Sequence, residues 1–233
     1  MAKKYELILF DLDGTLFDYE RAEEYALKSS MDHFDIELTP ELYLEKYKKI
    51  NRIVWREFEK GETSLEQLKL KRFKILFDVL GIKQNIEAFS DKYLYYISKT
   101  SFVTDGAKEI VSSLYGKYKL ALATNGIYSA QYERLRRSPL KDYFDVFVVS
   151  EKIGIAKPDP DFFSYVFREA RHSDKRTAII VGDSLSSDIK GGLNFGIDTC
   201  WFNPEKIRNE GDISPTYEIE KLNQIKDILT IFP

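Results

Sequence analysis

Asp11 and Asp13 stand two residues apart at the end of an apolar run, in LILFDLDGT (residues 7–15). Side chains alternate along an extended strand, so residues i and i+2 share a face and both carboxylates can address one substrate. One can attack as a nucleophile and carry an aspartyl-phosphate. The other can give a proton to the leaving oxygen and later take one from water. Two adjacent carboxylates resist being ionised together, which would help keep Asp13 protonated at the start. Gly14, directly after, lets the backbone approach a phosphate closely.

Three further polar segments also follow apolar runs. Leu120–Ala123 leads into Thr124, Asn125 and Gly126, and Val146–Val149 leads into SEKIGIAKPDP with Lys157. Ala178–Val181 leads into GDSLSSD with Asp183 and Asp188. An acid cluster without a histidine partner suits a hard cation held through oxygen, and magnesium prefers one or two carboxylates with water and substrate phosphate. Lys157 and the Thr-Asn-Gly turn suit an anion, since backbone N–H groups at a strand-to-helix turn cradle phosphate and lysine supplies a point charge. Metal and phosphate together point to phosphoryl transfer.

Other residues divide between chemistry and structure. Asp18 reads as the N-cap of the next helix. Trp55 and Arg56 are candidate substrate contacts, because an aromatic face stacks on a base and an arginine binds phosphate or a base edge. The competing reading of Trp55 is a helix residue turned into a core. The ERLRR run at 133–137 reads as a solvated helix face, and His33 and His172 lack metal-ligand spacing.

The elements that must position these groups are of two kinds. The four apolar runs above, with Thr199–Phe202, are what a parallel sheet covered on both faces requires, and each of the first four is separated from the next by helical sequence. This predicts an α/β fold, a doubly wound, mostly parallel sheet with ligands at the carboxyl ends of its strands. Residues 18–100 instead read as helix. Thr39-Pro40 marks one helix start, with Tyr43, Tyr47, Ile50, Val54 and Phe58 following at helical spacing. Thr63 with Glu66 has the form of a capping box, and that helix should end at Gly81. Ile86, Phe89, Tyr93 and Ile97 mark another helix, and Leu27, Met31 and Phe34 an earlier one. The expected organisation is an α/β core of residues 1–17 and 101–233 carrying a four-helix insert, 18–100, after its first strand.

Composition restricts the partners. The chain has 233 residues, 43% hydrophobic and 31% charged, with a net charge of −3, so bulk charge does not advertise a nucleic-acid polymer. No apolar run reaches the length of a membrane span. Met1-Ala2-Lys3-Lys4 leads into strand-like sequence without a signal-peptide core, and a lone cysteine, Cys200, fits a reducing cytoplasm. Cys200 within DTCWF reads as a small buried hydrophobe.

DLDGT at 11–15, ATNG at 123–126, KP at 157–158 and GDSLSSD at 182–188 resemble, in order, the four motifs of the haloacid dehalogenase superfamily. The resemblance implies Asp11 as nucleophile and magnesium ligand, and Asp13 as general acid and base with its backbone carbonyl on the metal. It implies that Thr124 and the backbone around Asn125 bind the phosphoryl oxygens. Lys157 would orient the nucleophile, Asp183 would bind magnesium, and Asp188 would support the metal shell. The insert resembles the family's C1 cap, which closes over the site and selects the leaving group.

INRIVWREFEKGE (50–62), TNGIYSAQYERLRRSPL (124–140) and GDSLSSDIKGGLNFGIDTCWFNP (182–204) are similar to the bacterial pyrimidine 5′-nucleotidase branch. The implied activity is a magnesium-dependent phosphomonoesterase acting on a small phosphate ester, with pyrimidine nucleoside 5′-monophosphates favoured. The alternatives are a sugar-phosphate or phosphoglycolate phosphatase, or a phosphomutase, on the same core. The intact acid cluster argues against a 2-haloacid dehalogenase, and the complete reactive set against a silent binding protein. A response-regulator receiver combines similar residues in another order and without a large insert.

Overall fold

Leu7–Phe10 form a strand, β1, whose four residues are all fully buried. A run of four apolar residues satisfies a strand covered on both faces, and the sheet around it supplies that cover. The computed structural model describes residues 5–209 and 211–230; Met1–Lys4, on which the expectation for the chain's start rests, lie outside the described residues. After β1 come α1 (Tyr19–His33), α2 (Pro40–Glu59), α3 (Leu65–Leu80), α4 (Ile86–Lys99) and α5 (Ala107–Leu114). Then follow β2 (Lys119–Thr124), α6 (Tyr128–Arg137), β3 (Val146–Val149), α7 (Ser150–Ile153) and α8 (Pro160–Glu169). The chain continues through β4 (Ala178–Gly182), α9 (Lys190–Phe195), β5 (Asp198–Phe202), β6 (Tyr217–Ile219) and α10 (Ile225–Thr230).

The six strands run in the order β3-β2-β1-β4-β5-β6, every pairing parallel. Alternation along β1 divides the core in two. Ile8 and Phe10 join Leu120, Leu122, Ile179 and Val181 under α5 and α10, while Leu7 and Leu9 join Ala121, Ala123 and Ile180 under α8. The chain leaves β1 for β2 and β3 on one side and returns for β4 and β5 on the other. The crevice outside the ends of β1, β2 and β4 is therefore a topological switch point. Cys200 is buried, and burial pushes its thiol up to about 12.

Four helices, α1–α4, lie between β1 and α5 and share a hydrophobic cluster built on Tyr47, Phe73, Phe77, Phe89 and Tyr93, which Ile127 and Ala130 join from the sheet domain. The two chain crossings into this insert run side by side. Asp18 N–H donates to the Phe102 carbonyl at 3.1 Å, and Thr104 N–H to that of Leu16 at 3.0 Å. Asp18 caps α1 by accepting from the Arg21 amide at 3.0 Å.

One expectation needs correction, and one strand lies beyond the expected set. The capping box of α3 starts one residue later than predicted: Ser64 Oγ accepts from the Gln67 amide, and Gln67 Oε1 accepts from the Ser64 amide. Thr63 and Glu66 have the same residue types in nearly the same places, but Ser64 is the residue with extended backbone before the first helical turn. β6 was not anticipated, because Tyr-Glu-Ile is too short and too polar to show as an apolar run. Among the described residues no helix is long and apolar enough to cross a membrane.

Candidate active site

β1 ends at Phe10, and the ladder continues one step, with the Asp11 amide donating to the Val181 carbonyl at 2.9 Å. This holds Asp11 rigidly at the strand tip, with its side chain nearly buried. The chain then folds back on itself, with the Gly14 amide donating to the Phe17 carbonyl and the Phe17 amide to that of Leu12. Gly14 takes φ +82°, and a Cβ there would lie 2.5 Å from a carboxylate oxygen of Asp183. Glycine is required by both the backbone angle and the space.

Lys157 is the centre of the arrangement. Its Nζ donates at 2.6 Å to Asp11 Oδ1, to Asp188 Oδ1 and to the Ala123 carbonyl. All three donors of the ammonium are thus used on buried acceptors. Burial opposes the charge of Lys157, but the Asp11 and Asp188 carboxylates outweigh it and hold its pKa above the ordinary lysine range. Burial pushes the Asp11 carboxyl well above the usual carboxylate range, with Lys157 pulling it back and Asp188 pushing it further. The Asn125 side chain fixes the lysine backbone: its Nδ2 donates to the Lys157 carbonyl and its Oδ1 accepts from the Lys157 amide, both at 2.9 Å.

Asp188 sits in a single π-helical turn, Leu185–Ile189, a widened geometry found often at functional sites. Its Oδ2 accepts from the Ser184 amide at 3.1 Å while Oδ1 takes Lys157. Gly182 is needed beneath it, since a Cβ there would meet the Asp188 carboxyl at 2.3 Å. Asp183 faces the cleft. Its Oδ1 accepts from Thr15 Oγ1 at 3.2 Å and its carbonyl accepts from Trp201 Nε1 at 2.8 Å. Crowding by protein, then Asp188, pushes the Asp183 carboxyl up to about 7.

One carboxylate oxygen from each of Asp11, Asp183 and Asp188 lies within 4.8 Å of the others. Three carboxylates facing a single ammonium leave a formal charge of −2, and every available donor is oxygen. That set fits a hard divalent cation. The side chain of Asp13 is not part of it.

Asp13 finds its partners on α6. Its Oδ1 accepts from Arg134 Nη1 and its Oδ2 from Gln131 Nε2 at 2.6 Å. The hydrogen-bond donors to this carboxylate therefore both come from α6. Gln131 also donates to Thr124 Oγ1 at 3.1 Å, tying the acid to the tip of β2. The reading of 133–137 as a solvated face fails at Arg134, which is fully buried, while Arg136 and Arg137 are exposed and pair with Glu133. The available signal was spacing: Ile127, Ala130, Gln131 and Arg134 recur at i, i+3, i+4 and i+7, the buried stripe of α6.

Asp11, Asp13, Thr124, Asn125, Lys157, Asp183 and Asp188 line one cavity of about 210 Å³. Tyr19, Trp55 and Glu59 close it from the insert. Glu59 accepts from Ser186 Oγ at 2.7 Å and Lys69 donates to Glu151 at 2.8 Å, so the insert touches the sheet domain on both sides of the cleft. Arg56, the other candidate on α2, does not line this cavity and is exposed, because one helical step turns it about 100° from Trp55. A larger cavity of about 970 Å³ runs along the other side of the insert and meets the acid cluster only at Gly14 and Asp183. Its described lining gathers no comparable set of reactive groups.

The haloacid dehalogenase-like hydrolase family model matches residues 8–202. The chain is 38% identical to the HAD-hydrolase YfnB of Bacillus subtilis over 98% of its own length and 97% of that protein's. It is 33% identical to the pyrimidine 5′-nucleotidase PynA of Streptococcus pneumoniae, covering 97% and 95%, and 29% identical to the pyrimidine 5′-nucleotidase YjjG of Escherichia coli, covering 97% and 98%. The crystal structure of magnesium-bound YfnB superposes with a TM-score of 0.93 at 37% identity, over 98% of this chain and all of that one.

Proposed function

The chain belongs to the haloacid dehalogenase-like hydrolases, and we propose that within them it is a magnesium-dependent phosphomonoesterase of nucleoside 5′-monophosphates, pyrimidine ones first. The observation that carries the chemistry is the buried Asp11–Lys157–Asp188 cluster beside Asp183, open to a cleft that also holds Asp13 and Thr124. The observation that favours nucleotides is the similarity along nearly the whole chain to two pyrimidine 5′-nucleotidases.

Asp11 is the nucleophile. Its Oδ1 is held by Lys157, which leaves Oδ2 to attack phosphorus and form an aspartyl-phosphate. Thr124 Oγ1 and the backbone around Asn125 and Gly126 bind phosphoryl oxygens at the tip of β2. Asp13 gives a proton to the leaving oxygen and takes one from water in the second step. A carboxylate has about four lone-pair sites, and Arg134 and Gln131 occupy one on each oxygen, so a proton still has a place on Asp13. Asp11, Asp183 and Asp188 would hold magnesium, with the Asp13 carbonyl as a further ligand. Bound there, magnesium supplies charge stabilisation for the phosphoryl group in flight.

The helical insert acts as the cap that excludes water and selects the leaving group. Trp55 reaches the cleft and contacts substrate, and Arg56 contacts it only if the cap turns. A cytoplasmic location accords with the single buried cysteine. A phosphate-release screen tests the proposal. Uridine, cytidine and adenosine 5′-monophosphates are compared with ribose 5-phosphate, glyceraldehyde 3-phosphate and phosphoglycolate, with and without magnesium. Pyrimidine nucleotides should be turned over best. Turnover of sugar phosphates alone would reject the substrate assignment, and full activity without a divalent metal would reject the cofactor.

A further inference from the structure

Beside Asp13 the cleft continues into a narrow cavity of about 30 Å³, which shares Asp13, Tyr19, Trp55 and Gly126 with the larger one. Two arginines line it, Arg72 from α3 and Arg134 from α6, and both are essentially inaccessible, at 1% and 0% exposure. Nε and Nη2 of each make no hydrogen bond among the described residues. Buried N–H groups of a cation without acceptors are costly and uncommon, and a guanidinium can only donate.

Arg72 is held at one corner and across its plane. Its Nη1 donates to Asn51 Oδ1 at 3.2 Å, and Asn51 Nδ2 donates to the buried Glu23 at 2.6 Å. Its guanidinium lies 4.9 Å from the centres of both the Phe73 and Tyr93 rings. The plane and one corner of the group are fixed, and the Nε–Nη2 edge is left over. Asp13, which lines this space, already sits against Arg134, and the Glu23 carboxyl stands behind Arg72 through Asn51. The space thus suits a neutral acceptor rather than a second anion. At about 30 Å³ it has room for a projecting atom of about water size and not for a ring. Its position next to Asp13 puts it on the leaving-group side of the phosphate.

We infer that Arg72 is a specificity-determining residue whose Nε–Nη2 edge receives a carbonyl oxygen projecting from the leaving group. This rests on the nucleotidase proposal, and in a pyrimidine nucleotide the oxygen is the C2 carbonyl that uracil, cytosine and thymine share. Adenine's acceptors are ring nitrogens, and its one projecting group, the 6-amino, is a donor that cannot pair with a guanidinium.

The test uses uridine 5′-monophosphate, its 2-thio analogue and ribose 5-phosphate, which has no base, on the wild-type enzyme and on Arg72→Met and Arg72→Lys. Sulfur at C2 is bulkier and a weaker acceptor, so the wild type should lose about 10-fold or more in kcat/KM on the thio analogue, in line with one hydrogen bond to a charged group. Arg72→Met should lose roughly 10–100-fold on uridine 5′-monophosphate and discriminate no further against sulfur, while ribose 5-phosphate turnover stays within about 3-fold. Arg72→Lys should follow the methionine variant, since lysine lacks the planar fork. Equal wild-type turnover of the oxygen and sulfur substrates overturns the inference even if neither variant folds. So does an equal loss on both the nucleotide and ribose 5-phosphate in the variants. A wild type that prefers ribose 5-phosphate to the nucleotide overturns the nucleotidase proposal itself, and this assignment with it.

Discussion

Arg134 lies fully buried on α6 and donates to the carboxylate of Asp13, while Gln131, three residues earlier on the same helix face, donates to the other oxygen of that carboxylate. Residues three apart on a helix are neighbours, so one face of α6 grips the proposed acid and base from both sides. Arg134 is itself braced by Gln131 Oε1 at 2.9 Å and rests on the Phe17 ring at 4.8 Å. The orientation of Asp13 is thus set from outside its own stretch of chain.

Arg134→Met should therefore lower kcat far more than it raises KM. Loss of an oriented general acid is worth up to about 10²–10⁴-fold, and misorientation should recover part of that range, roughly 10–100-fold. A substrate with a good leaving group, such as p-nitrophenyl phosphate, needs less proton assistance and should suffer less. Equal losses on both kinds of substrate would point to a structural role alone.

Lys157 holds two buried carboxylates together, and removing it leaves their charges uncompensated. Lys157→Met should destabilise the protein by about 3–5 kcal/mol, the cost of breaking a buried ion pair, and abolish turnover. Thermal unfolding in magnesium-free buffer measures the first effect. Adding Asp188→Asn to Lys157→Met should restore part of the stability and none of the activity.

Gly14→Ala places a methyl group against Asp183 in a backbone region that costs an L-residue about 1–2 kcal/mol. The larger effect should fall on magnesium. The stabilisation expected from the proposed magnesium, measured as a rise in Tm with concentration, should shift to at least about 10-fold higher concentration in the variant.

Glu23 supplies a pH dependence away from the acid cluster. Burial raises its carboxyl to about 7, with the Asn51 hydrogen bond and Arg72 opposing. The folded state therefore keeps this proton to higher pH than the unfolded state. Its contribution is fully present below the ordinary glutamate range, near about 4.3, and is lost as pH rises through about 7. Glu23→Gln, which keeps the acceptor for Asn51, should remove a decline on the order of 2–3 kcal/mol between those limits. Denaturant titrations at pH 5 and pH 8 compare the two proteins.

Legibility in the sequence followed burial on both faces. Leu7–Phe10 and Val146–Val149 coincide with their strands, two others differ by a residue at one end and Leu120–Ala123 by a residue at each end, because continuous apolar runs in a doubly covered sheet leave little choice. Asp11, Thr124, Lys157 and Asp183 could be brought to one crevice because each follows such a run. Arg134 could not be found by composition, since a buried arginine in ERLRR resembles its exposed neighbours Arg136 and Arg137. Only its helical phase distinguishes it. Arg72 was hidden for the same reason, as a cation between Lys71 and Phe73 whose value depends on Asn51 and Glu23 from other helices.

The central claim is that the phosphoryl group passes through Asp11. Acid quenching of the enzyme during turnover of a ³²P-labelled nucleotide, followed by peptide mapping, reads this directly. The label should be found on the peptide containing Asp11, in an acyl-phosphate released by hydroxylamine, and should vanish together with turnover in Asp11→Asn. Continued turnover by Asp11→Asn, or label mapped to a residue other than Asp11, would contradict the account.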